Sequence, residues 1–529
     1  MLAKWLFLAA GSSHLAALPA VIHAQQSEIL IRSGTVIDGT GAAGFPADVL
    51  VRDGRVVTIS RQPLSPGGNA RVIDATGLVV APGFIDLHAH IESLARMPDA
   101  ESHVRQGVTL AVGGPDGGGP AAFGAYLRGI DSLKLGMNVA YLTGHNSIRS
   151  AVLGMADRAP SAAELERMKR MVAEAMHDGA FGISTGLFYL PGTFAKLDEI
   201  VALSKVAGDS GGIYTSHLRN EGALLLQGVA EAIDIGRLAG IPVVVTHHKA
   251  VGQPQWGNSR LTLAMMDSAR AAGIDVMADQ YPYTASSTAL AALIPPWALE
   301  GGDSAFRRRA ANPAVRDSIA KGVTWNLQND RGGGDLRRVQ FASVGWNRSL
   351  EGRTLYDWAV ERGVATTPAN GAALVLEGQL AGGASMVYHV MDEGDVERIM
   401  RHPMTAIASD GALSRPGMGV PHPRSYGTFP RVLGVYVREK HVLTLEDAVR
   451  KMTSLPARRL GLTDRGVLKE GAVADITIFD PATVNEKGTF TEPNQYPVGI
   501  QFVIVNGVPV VDSATFTSLR PGKVLRRAR

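Results

Sequence analysis

Residues 81–90 read Ala-Pro-Gly-Phe-Ile-Asp-Leu-His-Ala-His, and the interpretation of this stretch governs the rest of the chain. An apolar run ends in His-x-His. In a strand, residues i and i+2 face the same side, so His88 and His90 point together. Two neutral imidazoles at that spacing suit one metal ion, at Zn–N distances of about 2.0–2.1 Å. Barrel enzymes carry such residues at the C-terminal ends of their strands. On this motif alone, two surface histidines on a loop are an equal alternative.

Working outward, the same pattern recurs. Ile213-Tyr214-Thr215-Ser216 runs into His217, and Pro242-Val243-Val244-Val245-Thr246 runs into His247. Ile407-Ala408-Ser409 ends in Asp410. Three strand ends that deliver imidazole exceed what core packing accounts for, because a buried histidine needs partners. Together with Asp410 they form a candidate metal-hydrolase constellation. His248 follows His247 directly and points away by strand alternation, which makes it structural. His145 ends another strand-like run, where lining a pocket and packing in the core are equally open; His103, His177, His389, His402 and His422 read as ordinary structural histidines.

Between these ends the chain alternates short β-like runs with helical stretches such as 161–177 and 222–238. Repeated strand–helix units imply a parallel sheet, and seven or so of them favour a (β/α)8 TIM-type barrel over a doubly wound sheet. The expected barrel spans residues 81–455, interrupted by an inserted subdomain at about 290–375, where an Arg-rich stretch carries Asn-Asp-Arg-Gly-Gly-Gly. Residues 27–80 and 456–529 share a β-rich, turn-rich texture. They are expected to form one small β-sandwich domain from both chain ends. The fold class is thus α/β.

The 529 residues contain 52 Lys+Arg and 49 Asp+Glu, a formal net charge of +3, which gives no electrostatic case for nucleic acid or an anionic membrane. With no cysteine, disulfides, a thiol nucleophile, Cys-ligated zinc and Fe–S clusters are excluded. Any metal must be held by histidine, carboxylate or a modified residue. Residues 1–24 read as an export signal: Lys4 supplies the positive charge, two apolar runs follow, and Ala24 ends a candidate cleavage site. The break at Gly11 to His14 argues against a stable membrane anchor. A periplasmic or secreted location is expected.

At this point the chain resembles the amidohydrolase superfamily, and most of all its N-acyl-D-amino-acid deacylase (D-aminoacylase) branch. The matching segments are PGFIDLHAH (82–90), GAFGISTGLFYLPG (179–192), TSHLRNEG (215–222), VTHHKAVG (245–252), DQYPYTASST (279–288), SDGAL (409–413) and HPRSYGTFPRVLG (422–434), in family order over most of residues 28–510. The resemblance implies a (β/α)8 barrel with a small β-sandwich. It implies that His88 and His90 form the first metal pair, His217 and His247 the second, and Asp410 the catalytic aspartate. It assigns Tyr189, Lys249 and an arginine, here Arg424, to the substrate carboxylate. Tyr281 and Tyr283 flank Pro282; Tyr283 is placed in the substrate pocket, with core packing as the alternative for both. One departure stands out. Where the branch commonly supplies a cysteine thiolate, this sequence has Gly113-Gly114-Pro115-Asp116-Gly117, so Asp116 becomes the expected oxygen ligand. Its alternative is a turn residue in a Gly-rich loop.

The expected activity is metal-dependent hydrolysis of the amide of N-acyl-D-amino acids, with one or two Zn2+ ions and a small-molecule substrate bearing a free carboxylate. Action on another amide, such as a dipeptide, a cyclic amide or a xenobiotic, is the alternative.

Overall fold

The computed structural model describes residues 28–66 and 68–528; the stretch read as an export signal lies outside them. Eight strand positions follow one another in parallel. Phe84–Asp86 pairs with Val108–Gly113, which pairs with Asn138–Tyr141. Thr143–Gly144 continues that third strand and pairs with Gly182–Gly186. Ile213–His217, Val243–Val245, Val276–Gln280 and Thr405–Ile407 then follow in register. Closure comes where Gly411–Ala412 lies parallel to Ala89–His90. There Asp410 N–H donates to the His88 carbonyl at 2.8 Å, so the first and last strands meet at the site residues themselves.

The strands are buried on both faces, which explains their continuous apolar runs. Val244, Ile85, Leu110, Ile213, Met277 and Ala406 pack in an inner core, while Val243 and Val245 join the larger core beneath the helices. Those helices start and stop on local signals. Ser161 and Glu164 form a reciprocal cap at the start of Ala162–His177. Gly240 ends Leu225–Ala239 in a left-handed conformation that costs glycine nothing.

The two chain ends meet in one nine-stranded sheet. Ile476–Phe479 lies antiparallel to Val79–Pro82 and joins the C-terminal strands to the N-terminal ones. Ile29, Ile31, Val49, Ile73, Ile476 and Ile504 pack in a core of their own. The expected boundary at 456 is displaced. It falls inside the helix Ser454–Arg459, and the first C-terminal strand starts at Ile476. The tail then leaves this sheet. Val139 N–H donates to the Lys523 carbonyl at 2.9 Å and Leu525 N–H to the Val139 carbonyl at 2.7 Å, against the third barrel strand.

The insertion is also wider than 290–375. Its helices lie on a three-stranded antiparallel sheet made by Ser286–Ala289, Val339–Ser343 and Ser385–Tyr388. Ser286–Ala289, at one edge, and Ser385–Tyr388, in the middle, lie beyond the expected limits, since their pairing joins segments about a hundred residues apart. This sheet stands beside the open end of the barrel, and Ser286, Ser287, Thr288, Ala289 and Ser385 line the cavity there.

Candidate metal centre and substrate cavity

A cavity of about 1010 Å³ opens at the C-terminal ends of the strands, with His90, Asp116, His217, His247 and Asp410 among its lining residues. Asp116 occupies the middle. Its Oδ1 lies 3.5 Å from His88 Nε2 and 3.4 Å from His247 Nε2. Its Oδ2 lies 3.6 Å from His90 Nε2 and 3.5 Å from His217 Nδ1. One carboxylate thus faces all four imidazoles. Asp410 Oδ1 sits 3.4 Å from His88 Nε2 and 3.1 Å from His90 Nε2. Two ligand groups result, His88/His90/Asp116/Asp410 and Asp116/His217/His247, with Asp116 common to both.

Local backbone geometry puts these groups in place. Asp116, His247 and Asp410 have φ of +53°, +37° and +48°, left-handed values that non-glycine residues seldom adopt and that cluster at functional sites. The loop that presents Asp116 is glycine-rich because it passes very close to the third strand. A Cβ on Gly114 would lie 2.4 Å from the Leu142 carbonyl oxygen, and one on Gly117 would lie 2.1 Å from Asn146 Oδ1. Asp86 ties the first and last strands together. It accepts from Ser409 N–H at 2.9 Å, from His88 N–H at 3.3 Å and from the Ser409 hydroxyl. Asp279 accepts from His247 N–H at 2.6 Å.

The donor atoms suit a divalent metal. His88 Nε2, both ring nitrogens of His217, His247 Nε2 and Asp116 Oδ1 are buried with no hydrogen-bond partner. Polar atoms left this way in a core are expensive, and here they converge. Imidazole and carboxylate are the ligand types zinc takes in the absence of thiolate. Electrostatics keeps the acids charged. Burial opposes ionisation of Asp116, yet His88, His217 and His247 hold it well below the usual carboxylate range. Burial likewise opposes ionisation of Asp410, and Arg424 and His247 outweigh it.

The other expected residues divide. Tyr189 lines the cavity with its ring 4.5 Å from that of His217 and its hydroxyl 3.0 Å from Thr288 Oγ1. Arg424 lines it and donates from Nη1 to Asp410 Oδ2 at 2.7 Å. Lys249 lines it too, but its ammonium donates to Glu221 Oε1 at 2.5 Å and to the His247 carbonyl at 2.7 Å, with His247 Nδ1 2.7 Å away. Tyr283 is a correction. Its hydroxyl donates to Glu486 Oε2 at 2.8 Å and Arg431 covers its ring at 4.9 Å, fixing it behind the wall. Tyr281 lines the cavity instead, with Arg424 4.8 Å from its ring centre. His145 is structural, its Nε2 2.8 Å from buried Glu199. His248 points outward, its Nε2 2.7 Å from Thr262 on the helix Ser259–Ala271.

Two residues escaped the sequence reading. Glu221 lies behind the second histidine pair, its Oε1 3.1 Å from His247 Nδ1 and its Oε2 3.7 Å from His217 Nε2. Its only signal is its place four residues after His217. Arg331 enters from the insertion, out of the Asn-Asp-Arg-Gly-Gly-Gly stretch, and reaches the cavity wall 3.8 Å from Glu221.

Comparison with known proteins agrees with this geometry. The chain is 37% identical to N-acyl-D-glutamate deacylase of Alcaligenes xylosoxydans xylosoxydans, over 95% of this chain and 97% of that one. It is 37% identical to D-aminoacylase of the same organism, over 95% and 98%. Its fold matches a crystal structure of N-acyl-D-glutamate deacylase from Bordetella bronchiseptica, complexed with zinc and a phosphonate mimic of the tetrahedral intermediate. The TM-score is 0.80 at 37% identity, covering 94% of this chain and 99% of that one. The sequence profile of the amidohydrolase family matches residues 71–511, and the chain belongs to that family.

Proposed function

We propose that this protein is a metal-dependent deacylase that hydrolyses the linear amide of N-acyl-D-amino acids, releasing a carboxylate and a free D-amino acid. The observation that carries this reading is the Asp116 carboxylate set 3.4–3.6 Å from four imidazoles, with Asp410 beside the first pair. The relatives that support it are an N-acyl-D-glutamate deacylase and a D-aminoacylase aligned over nearly their whole length.

Zinc is the metal we assign, one ion or two. His88, His90 and Asp116 would hold one, and Asp116, His217 and His247 the other. Such an ion supplies Lewis acidity toward the scissile carbonyl and toward water. Asp410 has one oxygen on Arg424 and the other turned to the first histidine pair. That free oxygen takes a proton from the attacking water and passes it to the leaving nitrogen. Arg424 and Tyr189 lie on the wall where the substrate carboxylate would be held. With carboxylate and carbonyl both fixed, one hand at the α-carbon directs its side chain into the cavity, which selects D over L.

A panel of N-acetyl-D- and N-acetyl-L-amino acids, assayed with zinc and after chelation, tests this reading. Turnover confined to D-substrates, lost with chelator and restored by zinc, is the expected result. Equal turnover of both hands refutes it. We also propose that residues 1–24 direct export; fractionation of cells producing the full chain checks this, and a protein retained with the cytosol refutes it.

A further inference from the structure

Asp410 stands on a backbone that is held at each of the amides around it. Ser409 N–H donates to Asp86 Oδ1 at 2.9 Å, Asp410 N–H to the His88 carbonyl at 2.8 Å, and Gly411 N–H to the Ser409 hydroxyl oxygen at 2.9 Å. That hydroxyl in turn donates to Asp86 Oδ2. One serine side chain thus accepts from the residue after Asp410 and donates to the first barrel strand. Asp410, enclosed by these bonds, has φ of +48°, a conformation that an aspartate keeps only when its surroundings fix it. Space is tight as well. A Cβ on Gly411 would lie 3.0 Å from both Ser409 Oγ and the Arg424 carbonyl oxygen.

Asp86 is an unusual anchor. It is fully buried, and its one ion-pair contact among the described residues, His103 Nε2 at 3.8 Å, is too long for a hydrogen bond. Its hydrogen bonds go to two places, Ser409 twice and His88 N–H at 3.3 Å. A buried carboxyl with no cation is destabilising compared with an apolar residue that fills the same space. What it supplies here is a common fixed point for the segments that carry His88 and Asp410. Arg424 holds one oxygen of Asp410 at 2.7 Å, but not the backbone from which the carboxylate hangs. Ser409 holds that backbone.

We propose that Ser409, through its hydroxyl on Asp86, is a positioning residue for proton transfer at Asp410, an inference that rests on the deacylase reading. Ser409 is fully buried and does not line the cavity, so its effect has to pass through Asp410. Without the hydroxyl, Gly411 N–H and Asp86 Oδ2 each lose this partner, and the left-handed turn is free to relax. The free oxygen of Asp410 then moves away from the first histidine pair. Displacement of a reacting group by about 1 Å lowers a rate on the order of 10²-fold.

The test is a double-mutant cycle in the full chain: wild type, Ser409→Ala, Asp410→Asn and the pair. For each, kcat and KM on N-acetyl-D-methionine, zinc content and thermal midpoint are measured. We expect Ser409→Ala to lower kcat about 10–100-fold with little change in KM, with zinc retained and the midpoint lowered by no more than a few degrees. In the Asp410→Asn background the same change should alter the residual turnover by less than about twofold, because residues that act as a unit are not additive. Asp86→Asn keeps the shape and loses the acceptor for the hydroxyl. It should repeat the kcat effect, and it decides the matter alone if Ser409→Ala does not fold. An equal fall in both backgrounds overturns the proposal, since Ser409 would then act on something other than Asp410. So does unchanged kcat, or a fall that tracks lost zinc or unfolding at the assay temperature. If the Asn background has no measurable turnover, the split between kcat and KM with zinc retained decides. Wild type inactive on N-acetyl-D-amino acids removes the deacylase reading, and near-normal turnover in Asp410→Asn removes its proton role; either takes this inference with it.

Discussion

The two histidine pairs that meet at Asp116 are enclosed to different degrees. His217 and His247 come from adjacent strands, with side chains 5% and 1% exposed, and one buried carboxylate, Glu221, stands behind both rings. His88 lies in the bend that follows Phe84–Asp86, and His90 ends the short strand Ala89–His90 just beyond it. His90 is 30% exposed, and its rear nitrogen meets Glu92, itself 55% exposed, at 3.2 Å. A carboxylate behind a ligating imidazole fixes its tautomer and raises its basicity, and does so more strongly where water is excluded. The inner pair is therefore built to hold an ion. The outer pair, next to Asp410 and the cavity mouth, is built to present one to substrate and solvent.

The largest expected effect lies on the outer side. Asp410→Asn keeps the shape and the Arg424 contact but cannot carry the proton, so turnover should fall about 10²–10⁴-fold. Zinc content, measured by atomic absorption, should stay at the wild-type value. Near-normal turnover would remove Asp410 from proton transfer. Loss of zinc would instead make it a ligand of the outer pair, which its 3.1 Å approach to His90 Nε2 allows.

Next comes the residue the two halves share. Asp116→Ala takes away the one carboxylate facing all four imidazoles, and zinc per chain should drop. Unchanged stoichiometry would reduce Asp116 to a loop residue and leave the halves independent.

What the sequence made legible follows the same division. His88 and His90 announce themselves because they stand two apart at the end of one apolar run, and that spacing is local information, although His88 itself lies in a bend between two short strands. His217, His247 and Asp410 each end an apolar run, so the strand ends could be read one by one and the barrel inferred from their succession. Asp116 sits in a Gly-rich loop that by itself reads as a turn; only its place in the family pattern marked it. Glu221 and Arg331 carry no such mark, because what makes them matter is a meeting of segments 26 and 110 residues apart, His247 with Glu221 and Arg331 with Glu221. Tyr281 and Tyr283 flank Pro282 in the turn after Val276–Gln280, and the choice between them was made by Glu486 and Arg431, from the far end of the chain and the helix Arg424–Arg431.

The difference between the halves is sharpest in their rear carboxylates. Glu221→Gln should weaken zinc binding about 10–100-fold, read by competition with a chromogenic chelator on the purified protein. Glu92→Gln makes the same chemical change behind His90, but at a solvated carboxylate. Exposed pairs contribute about 1 kcal/mol or less, so affinity should change by no more than a factor of about five. Added salt separates the two cases further, since it screens Glu92 and barely reaches Glu221. If the two variants lose zinc equally, burial is not what sets the halves apart. The inner pair would then owe any tighter grip to geometry alone: two adjacent strands aim His217 and His247 at Asp116 from positions their own carbonyls and amides fix.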